Sequence, residues 1–208
     1  MLVFAAPGQG AQAPGFLTAW LELPGFADRL AAWSDLAGCD LIAAGTTAGA
    51  DEIRDTAVAQ PLLVAAAIAA TEALCGDLGQ AQRPGCIAAG HSVGELSAGA
   101  IAGVLSPEDA MRLIAVRSKA MARAAAAEET GMTAVLGGTE PEVLAAIEAH
   151  GLTPANINAP GQIVAAGTRA QLDALAADPP AGARLRPLSV AGAFHSPHMA
   201  PAVDALRA

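Results

Sequence analysis

Positive charge is scarce in this sequence: Lys and Arg number 11 against 20 Asp and Glu, Lys119 is the only lysine, and the formal net charge is -9. Neutralising nucleic-acid phosphates takes clustered Lys and Arg. No basic run occurs, so a nucleic-acid partner is not expected. Cysteine is sparse as well. Cys39, Cys75 and Cys86 form no C-x-x-C pair and leave one over in any disulfide scheme, so reduced, buried thiols are expected and no metal site. A long apolar run is missing too. Hydrophobic residues make up 53% and mean hydropathy is +0.43, but much of that is alanine. The most apolar stretch, residues 61 to 70, is too short to span a bilayer. The N-terminal "MLVFAAPGQG" lacks a positively charged lead and fits a first buried strand better than a signal peptide. These absences set the expectation of a soluble, cytoplasmic, monomeric protein with no membrane partner.

What is present, over 208 residues, is enough chain to bury a sizeable core. Short apolar runs alternate with helical stretches: a strand at 2 to 6, a Gly/Pro loop, helices near 26 to 37 and 61 to 76, and a strand at 85 to 91. That alternation predicts a parallel sheet covered on both faces. Ser106, with Pro107 behind it and Asp109 three residues on, predicts a helix start, and apolar residues then recur through Met121. From about 127 the order becomes strand 132 to 138, helix 141 to 150, strands 153 to 158 and 162 to 166, helix 169 to 177 and strand 184 to 190. This βαββαβ order predicts a ferredoxin-like unit. The expected fold is α/β: a parallel-sheet, α/β-hydrolase-like large domain over 1–126 and 191–208, with an inserted ferredoxin-like small domain over 127–190.

Gly90, His91, Ser92, Val93 and Gly94 spell G-x-S-x-G, the turn that lifts a serine hydroxyl above a sheet. In a glycine-rich chain the bare pattern is a weak signal. Its context strengthens it, because it follows an apolar β-type run and opens a helix of small residues, with the Val93 N–H at a helix N-terminus. A serine needs a base to take its proton, and the chain has four histidines. His150 reads as a partner of its helix C-terminus. His91 adjoins the serine and suits a structural or a substrate-contact role. His198 reads as an ordinary surface residue. His195 lies between a predicted strand and a helix start marked by Ser196 and Pro197, where α/β proteins collect chemistry, and is the base candidate.

One arginine stands out by its position. In the helix that follows Ser106, Ala110, Leu113, Ile114 and Met121 form an apolar stripe, and Arg117 falls inside it, while Arg112, Lys119 and Arg123 cluster opposite. A buried ion pair or a snorkelling side chain would explain it. So would a guanidinium that receives a substrate carboxylate, which a planar fork binds in bidentate fashion.

Six separated blocks then carry a resemblance: "PGQGAQ" at 7 to 12, "VAQPLL" at 58 to 63, "GHSVGE" at 90 to 95, Arg117, "NINAPGQIVAAG" at 156 to 167 and "GAFHSPHM" at 192 to 199. The chain resembles the malonyl-CoA:acyl carrier protein transacylases and the acyltransferase domains of polyketide synthases along its whole length. The resemblance implies that Ser92 attacks the malonyl-CoA thioester, His195 takes its proton, and the Gln9 and Val93 N–H groups form the oxyanion hole. It implies that Arg117 holds the malonyl carboxylate, with His91, Gln60 and Phe194 at the substrate. The acyl group then passes to the phosphopantetheine thiol of acyl carrier protein, with no metal and no cofactor beyond what the substrates carry. Phe194 and Val93 fit the pattern that accompanies malonyl over methylmalonyl preference in the polyketide branch. Members continue beyond the helix that begins at Ser196, so a C-terminal segment that completes the large domain is expected to be lacking here.

The alternatives are a serine esterase or thioesterase, against which an Arg117 left unpaired by a neutral ester would count, and a non-catalytic carrier-binding module. Arg184 and Arg186 are candidate contacts for a carrier protein, or simply exposed residues at a strand end.

Overall fold

The computed structural model describes residues 1 to 207, and the chain divides after Lys119 into two units. In the first, β1 (Leu2–Ala6) is followed by a long loop with a 3-10 turn over Ala19–Glu22, then α1 (Phe26–Ala37), α2 (Leu41–Thr46), a 3-10 turn over Glu52–Arg54, α3 (Thr56–Cys75), α4 (Leu78–Ala81), β2 (Cys86–Gly90), α5 (Gly94–Ile101) and α6 (Pro107–Ala126), which runs on past the division. β1 and β2 pair in parallel, from Leu2 opposite Cys86 to Ala6 opposite Gly90. Both strands thus end at the same edge, which is where a parallel sheet presents its loops.

Helix α3 starts earlier than the sequence suggests. Proline at the head of an apolar run reads as a first-turn residue, but Pro61 sits inside the helix, and the start is set by Asp55, whose carboxylate accepts the Ala57 N–H at 2.8 Å. The extension makes α3 a 20-residue helix, long and apolar enough to cross a membrane by length and composition. In this unit it is core. Ala59 through Ala66 are buried without a break, and Leu62, Val64, Ala65 and Ile68 are fully enclosed with Leu30, Trp33, Leu41, Met111 and Ile114. A helix apolar on every side belongs in a core, and only the last turn of α3, with Ala73 and Leu74, is exposed.

Helix α6 begins where expected. The Ser106 hydroxyl accepts the Asp109 N–H at 3.0 Å and donates to the Asp109 carboxylate at 2.7 Å, satisfying donors that a helix start leaves open. Arg112, Lys119 and Arg123 face solvent.

The second unit contains β3 (Thr130–Gly137), α7 (Glu140–Ala149), β4 (Thr153–Ala159), β5 (Gln162–Thr168), α8 (Arg169–Ala177), β6 (Ala183–Pro187), a 3-10 turn over Pro197–Met199 and α9 (Ala200–Arg207). Its antiparallel sheet has the order β4-β5-β3-β6. One face of that sheet, with Val135, Ile163 and Ala165, packs on Val143 and Ile147 of α7 and Leu172 and Leu175 of α8. The other face, with Met132, Ala134, Val164 and Ala166, packs on Met121 and Ala125 of α6 and on Phe194, Met199 and Ala202. That second cluster corrects the expected boundaries. Residues 191 to 207 and the end of α6 fall in the second unit, with Met121, Ala125, Ala193, Phe194, Met199 and Ala202 buried against its sheet. Ala208, the last residue of the expected large domain, lies outside the described residues.

Candidate active site

The turn between β2 and α5 is built on glycines at positions that leave no room for a side chain. A Cβ on Gly90 would run into the Gly94 carbonyl group and the Glu95 nitrogen, and one on Gly94 would run into the Ala6 carbonyl at the end of β1. The neighbouring loop is as close, since a Cβ on Gly8 would meet His91 Nδ1 at 2.5 Å, and the His91 N–H donates to the Ala6 carbonyl at 3.0 Å. Between these contacts Ser92 is forced to a φ of 53°, a left-handed conformation that costs a non-glycine residue of order 1 kcal/mol. Among the described residues only Ser92 and His195 (φ 57°) are non-glycines at positive φ.

Val93 is buried and caps α5. Among the described residues neither its N–H nor that of Gln9 donates a hydrogen bond, and both belong to the loops that leave the two parallel strands. Amides at a helix start and in a facing loop are suited to receive developing negative charge.

Arg117 is half-buried, as the helix pattern requires, and Nη1 donates to Gln60 Oε1 at 2.6 Å. Gln60 Nε2 donates to Gln9 Oε1 at 3.3 Å, and Gln9 Nε2 to Thr56 Oγ1 and the Arg54 carbonyl, each at 3.4 Å. Gln60 and Thr56 are 2% and 1% exposed. The guanidinium is therefore held by a chain of neutral amides. It forms no ion pair among the described residues, so the buried ion pair that its position first suggests is not found there. Burial draws its pKa below the ordinary arginine value, and the Glu95 carboxylate opposes that shift; a guanidinium stays protonated at neutral pH under such a shift. Thr56 was missed by the sequence reading, which started the helix at 61 and left residue 56 outside it.

The second unit holds Phe194 and His195. Phe194 is buried against the sheet, and His195 is exposed. The Ala193 N–H donates to Thr130 Oγ1 at 3.0 Å, and the Ser196 hydroxyl donates to the Ala193 carbonyl at 2.6 Å and accepts the His198 N–H at 3.3 Å. His198, read from sequence as an ordinary surface residue, has Nδ1 at 2.8 Å from Glu128 Oε2. His150 caps α7, with Nδ1 at 2.8 Å from the Ala146 carbonyl. Arg184 and Arg186 are exposed on β6 at the sheet's edge, opposite Leu136 and Ala134. Among the described residues no cluster of His, Cys, Asp or Glu is arranged to hold a metal ion. The structure thus gathers Gln9, Gln60 and Arg117 through hydrogen bonds and sets His91 and Ser92 beside the Gln9 loop, while Phe194 and His195 belong to the other unit.

The model of the acyl transferase domain matches residues 3–208. The malonyl CoA-acyl carrier protein transacylase of Mycobacterium tuberculosis is 56% identical over the whole of this chain, which spans 68% of that protein. The crystal structure of MCAT from Mycobacterium tuberculosis superposes with a TM-score of 0.91 at 55% identity, covering 100% of this chain and 68% of that one. A malonyl-transacylase solved in complex with a type II polyketide synthase acyl-carrier protein superposes with a TM-score of 0.84 at 32% identity, covering 99% of this chain and 68% of that one. A strand-turn-helix serine, a half-buried arginine held by amides and a match over nearly every residue converge on one conclusion: the chain belongs to the acyl transferase family.

Proposed function

We propose that this chain transfers the malonyl group of malonyl-CoA to the phosphopantetheine thiol of acyl carrier protein, by a ping-pong route through Ser92. The observation that carries the reading is Arg117: a half-buried guanidinium held by the Gln60 amide and in no ion pair among the described residues. Desolvating a cation is costly, the Glu95 carboxylate offsets only part of that cost, and a malonyl carboxylate supplies a paired charge in bidentate geometry. A neutral acyl ester would not. The names of the relatives, malonyl CoA-acyl carrier protein transacylases, point the same way.

In the forward half-reaction Ser92 Oγ forms a bond to the thioester carbon as its proton passes to the His195 imidazole. The oxyanion rests on the Gln9 and Val93 N–H groups, and collapse breaks the C–S bond so that coenzyme A leaves with that proton. The second half repeats these steps with the carrier thiol as nucleophile, and Ser92 regains its proton. His91 and Phe194 line the substrate. No metal or resident cofactor takes part, and the surroundings are the cytoplasm. The same reading takes the first unit as α/β-hydrolase-like and the second as ferredoxin-like, supported by the strand order β4-β5-β3-β6 with two helices on one face.

The test is intact mass and peptide mapping after brief incubation of the chain with malonyl-CoA, beside Ser92→Ala and Arg117→Ala. An adduct on the Ser92 peptide is expected, absent from Ser92→Ala. In Arg117→Ala the rate should fall about a hundredfold or more for malonyl-CoA and far less for acetyl-CoA, the loss of a charge-assisted pair made with one substrate only. Equal losses would remove the carboxylate clamp, and no adduct on a folded chain would remove the catalytic reading.

A further inference from the structure

His195 holds a conformation that its own side chain does not favour. At a φ of 57° it is, with Ser92, one of two non-glycine residues in the left-handed region among the described residues. Such a conformation persists only where its neighbours over-determine it. His195 itself is exposed, and the residues on either side of it are tied down.

The residue two positions before it is fixed at both of its peptide groups. Ala193 is 0% exposed; its N–H donates to Thr130 Oγ1 and its carbonyl accepts the Ser196 hydroxyl. Phe194 is buried with Met132 and Met199, and its N–H turns back to the Gly192 carbonyl at 3.0 Å. Gly192 is pressed against the same place, since a Cβ there would stand 2.7 Å from Ala125 Cβ and 3.3 Å from Thr130 Oγ1. Of these anchors the Ser196 hydroxyl is local and turns with the loop it ties. Thr130 belongs to another element, 63 residues away, and opens β3, where it pairs in register with Thr168 of β5. A β-branched side chain in a central strand has little rotamer freedom, so its hydroxyl is a fixed point of the unit.

We propose that Thr130 is a positioning residue for His195: by accepting the buried Ala193 N–H, its hydroxyl holds the loop in register and keeps His195 left-handed with its imidazole directed for proton transfer. This rests on the assignment of His195 as the base. Thr130 touches neither substrate nor the reacting atoms.

The experiment compares Thr130→Val, which keeps the shape and loses the acceptor, with Thr130→Ser, which keeps the acceptor, alongside His195→Ala. Three quantities are read: the rate constant and KM for Ser92 acylation by malonyl-CoA, and the hydrogen-exchange protection of the Ala193 amide. The expected result is an Ala193 amide that loses protection in Thr130→Val, with kcat down about tenfold, a fraction of what a general base contributes, and KM within twofold. Thr130→Ser restores both. A structural role alone would lower the amplitude of Ser92 labelling, which counts the folded chains, and leave the acylation rate constant of those chains at the wild-type value. If Thr130→Val does not fold, Thr130→Cys takes its place, with a weak sulfur acceptor and the same expected outcomes. A wild-type rate in Thr130→Val beside a silent His195→Ala overturns the positioning role alone, and so does a Thr130→Ser as slow as Thr130→Val. Acylation at full rate in His195→Ala, or a wild-type chain never labelled at Ser92, overturns the assignment of the base and the positioning role with it.

Discussion

At the scale of single residues, the turn that carries Ser92 depends on hydrogen atoms where side chains would otherwise be. Gly94 lies where the start of α5 touches the end of β1, and a methyl group there would enter the Ala6 and Pro7 carbonyl oxygens. Backbone on both sides cannot yield as a flexible side chain does, so Gly94→Ala should cost roughly 3 kcal/mol, the upper end for overpacking. Gly99, in the same helix, offers the internal control. A Cβ there meets Leu105 Cδ1 at 3.4 Å, an ordinary contact, and Gly99→Ala should gain up to about 1 kcal/mol from helix propensity. Denaturant midpoints of the two variants check this, and equal stabilities would mean that the strand and helix ends are not held as closely as described. Ser92, His195 and Arg117 were singled out as candidates in the sequence because a local pattern marked each: a turn motif, a strand-to-helix junction and a helical period. Thr56, Glu128 and Thr130 were not, since each gains its role from a partner that only folding brings near, 63 residues away for Thr130 and Ala193. The left-handed backbone of Ser92 and His195 is a property of their surroundings and has no signature of its own.

At the scale of elements, the strands and helices were read to within a few residues wherever a period or a cap was written locally, as with β1, α1, α6 and α8. The start of α3 was misplaced because Pro61 signals a helix start on its own and Asp55 could not be weighed as a cap until its contact with Ala57 was seen. The same helix is tied to α1 by Arg29 and Glu72 at 2.9 Å, with the Arg29 guanidinium also 5.4 Å from the Trp33 ring centre. Partial burial holds the Glu72 pKa above the ordinary carboxylate value, with Arg29 working against the shift and Glu108 adding to it. A carboxyl group whose folded pKa lies above its unfolded value weakens the fold while it is ionised. That cost is fully present above the folded pKa, fades as the pH falls through it, and is gone below the unfolded value. Wild type should therefore gain stability relative to Glu72→Gln as the pH is lowered from 7 towards 4. Melting temperatures of both proteins across that range check the sign, and a wild type that loses ground on acidification would show that the Arg29 pair outweighs desolvation.

At the scale of the whole molecule, the two-stranded sheet of the first unit is covered on one face only. Phe4 and Ala6 are buried, with Phe4 against Ile101 and Ala81, whereas Val3 and Ile87, paired in register, are 50% and 48% exposed, with Ala5 and Ala89 exposed beside them. Parallel sheets in folded proteins are ordinarily covered on both faces, and a contiguous apolar patch on a soluble protein is a place of association. The chain spans 68% of its Mycobacterium tuberculosis relative. Net charge of -9 makes copies of the chain repel one another, so two opposed forces act, and added salt screens only the repulsion. The expected behaviour is self-association that rises with ionic strength and bright binding of a hydrophobic dye. Val3→Thr with Ile87→Thr keeps β-branched side chains in both strands and removes apolar area already half in water, so the fold should lose no more than about 1 kcal/mol while dye binding and salt-dependent association fall. Unchanged dye fluorescence would place the sticky surface elsewhere on the molecule. A loss of stability well beyond that amount would mean that these two side chains are covered in solution, by a second copy or by the chain itself.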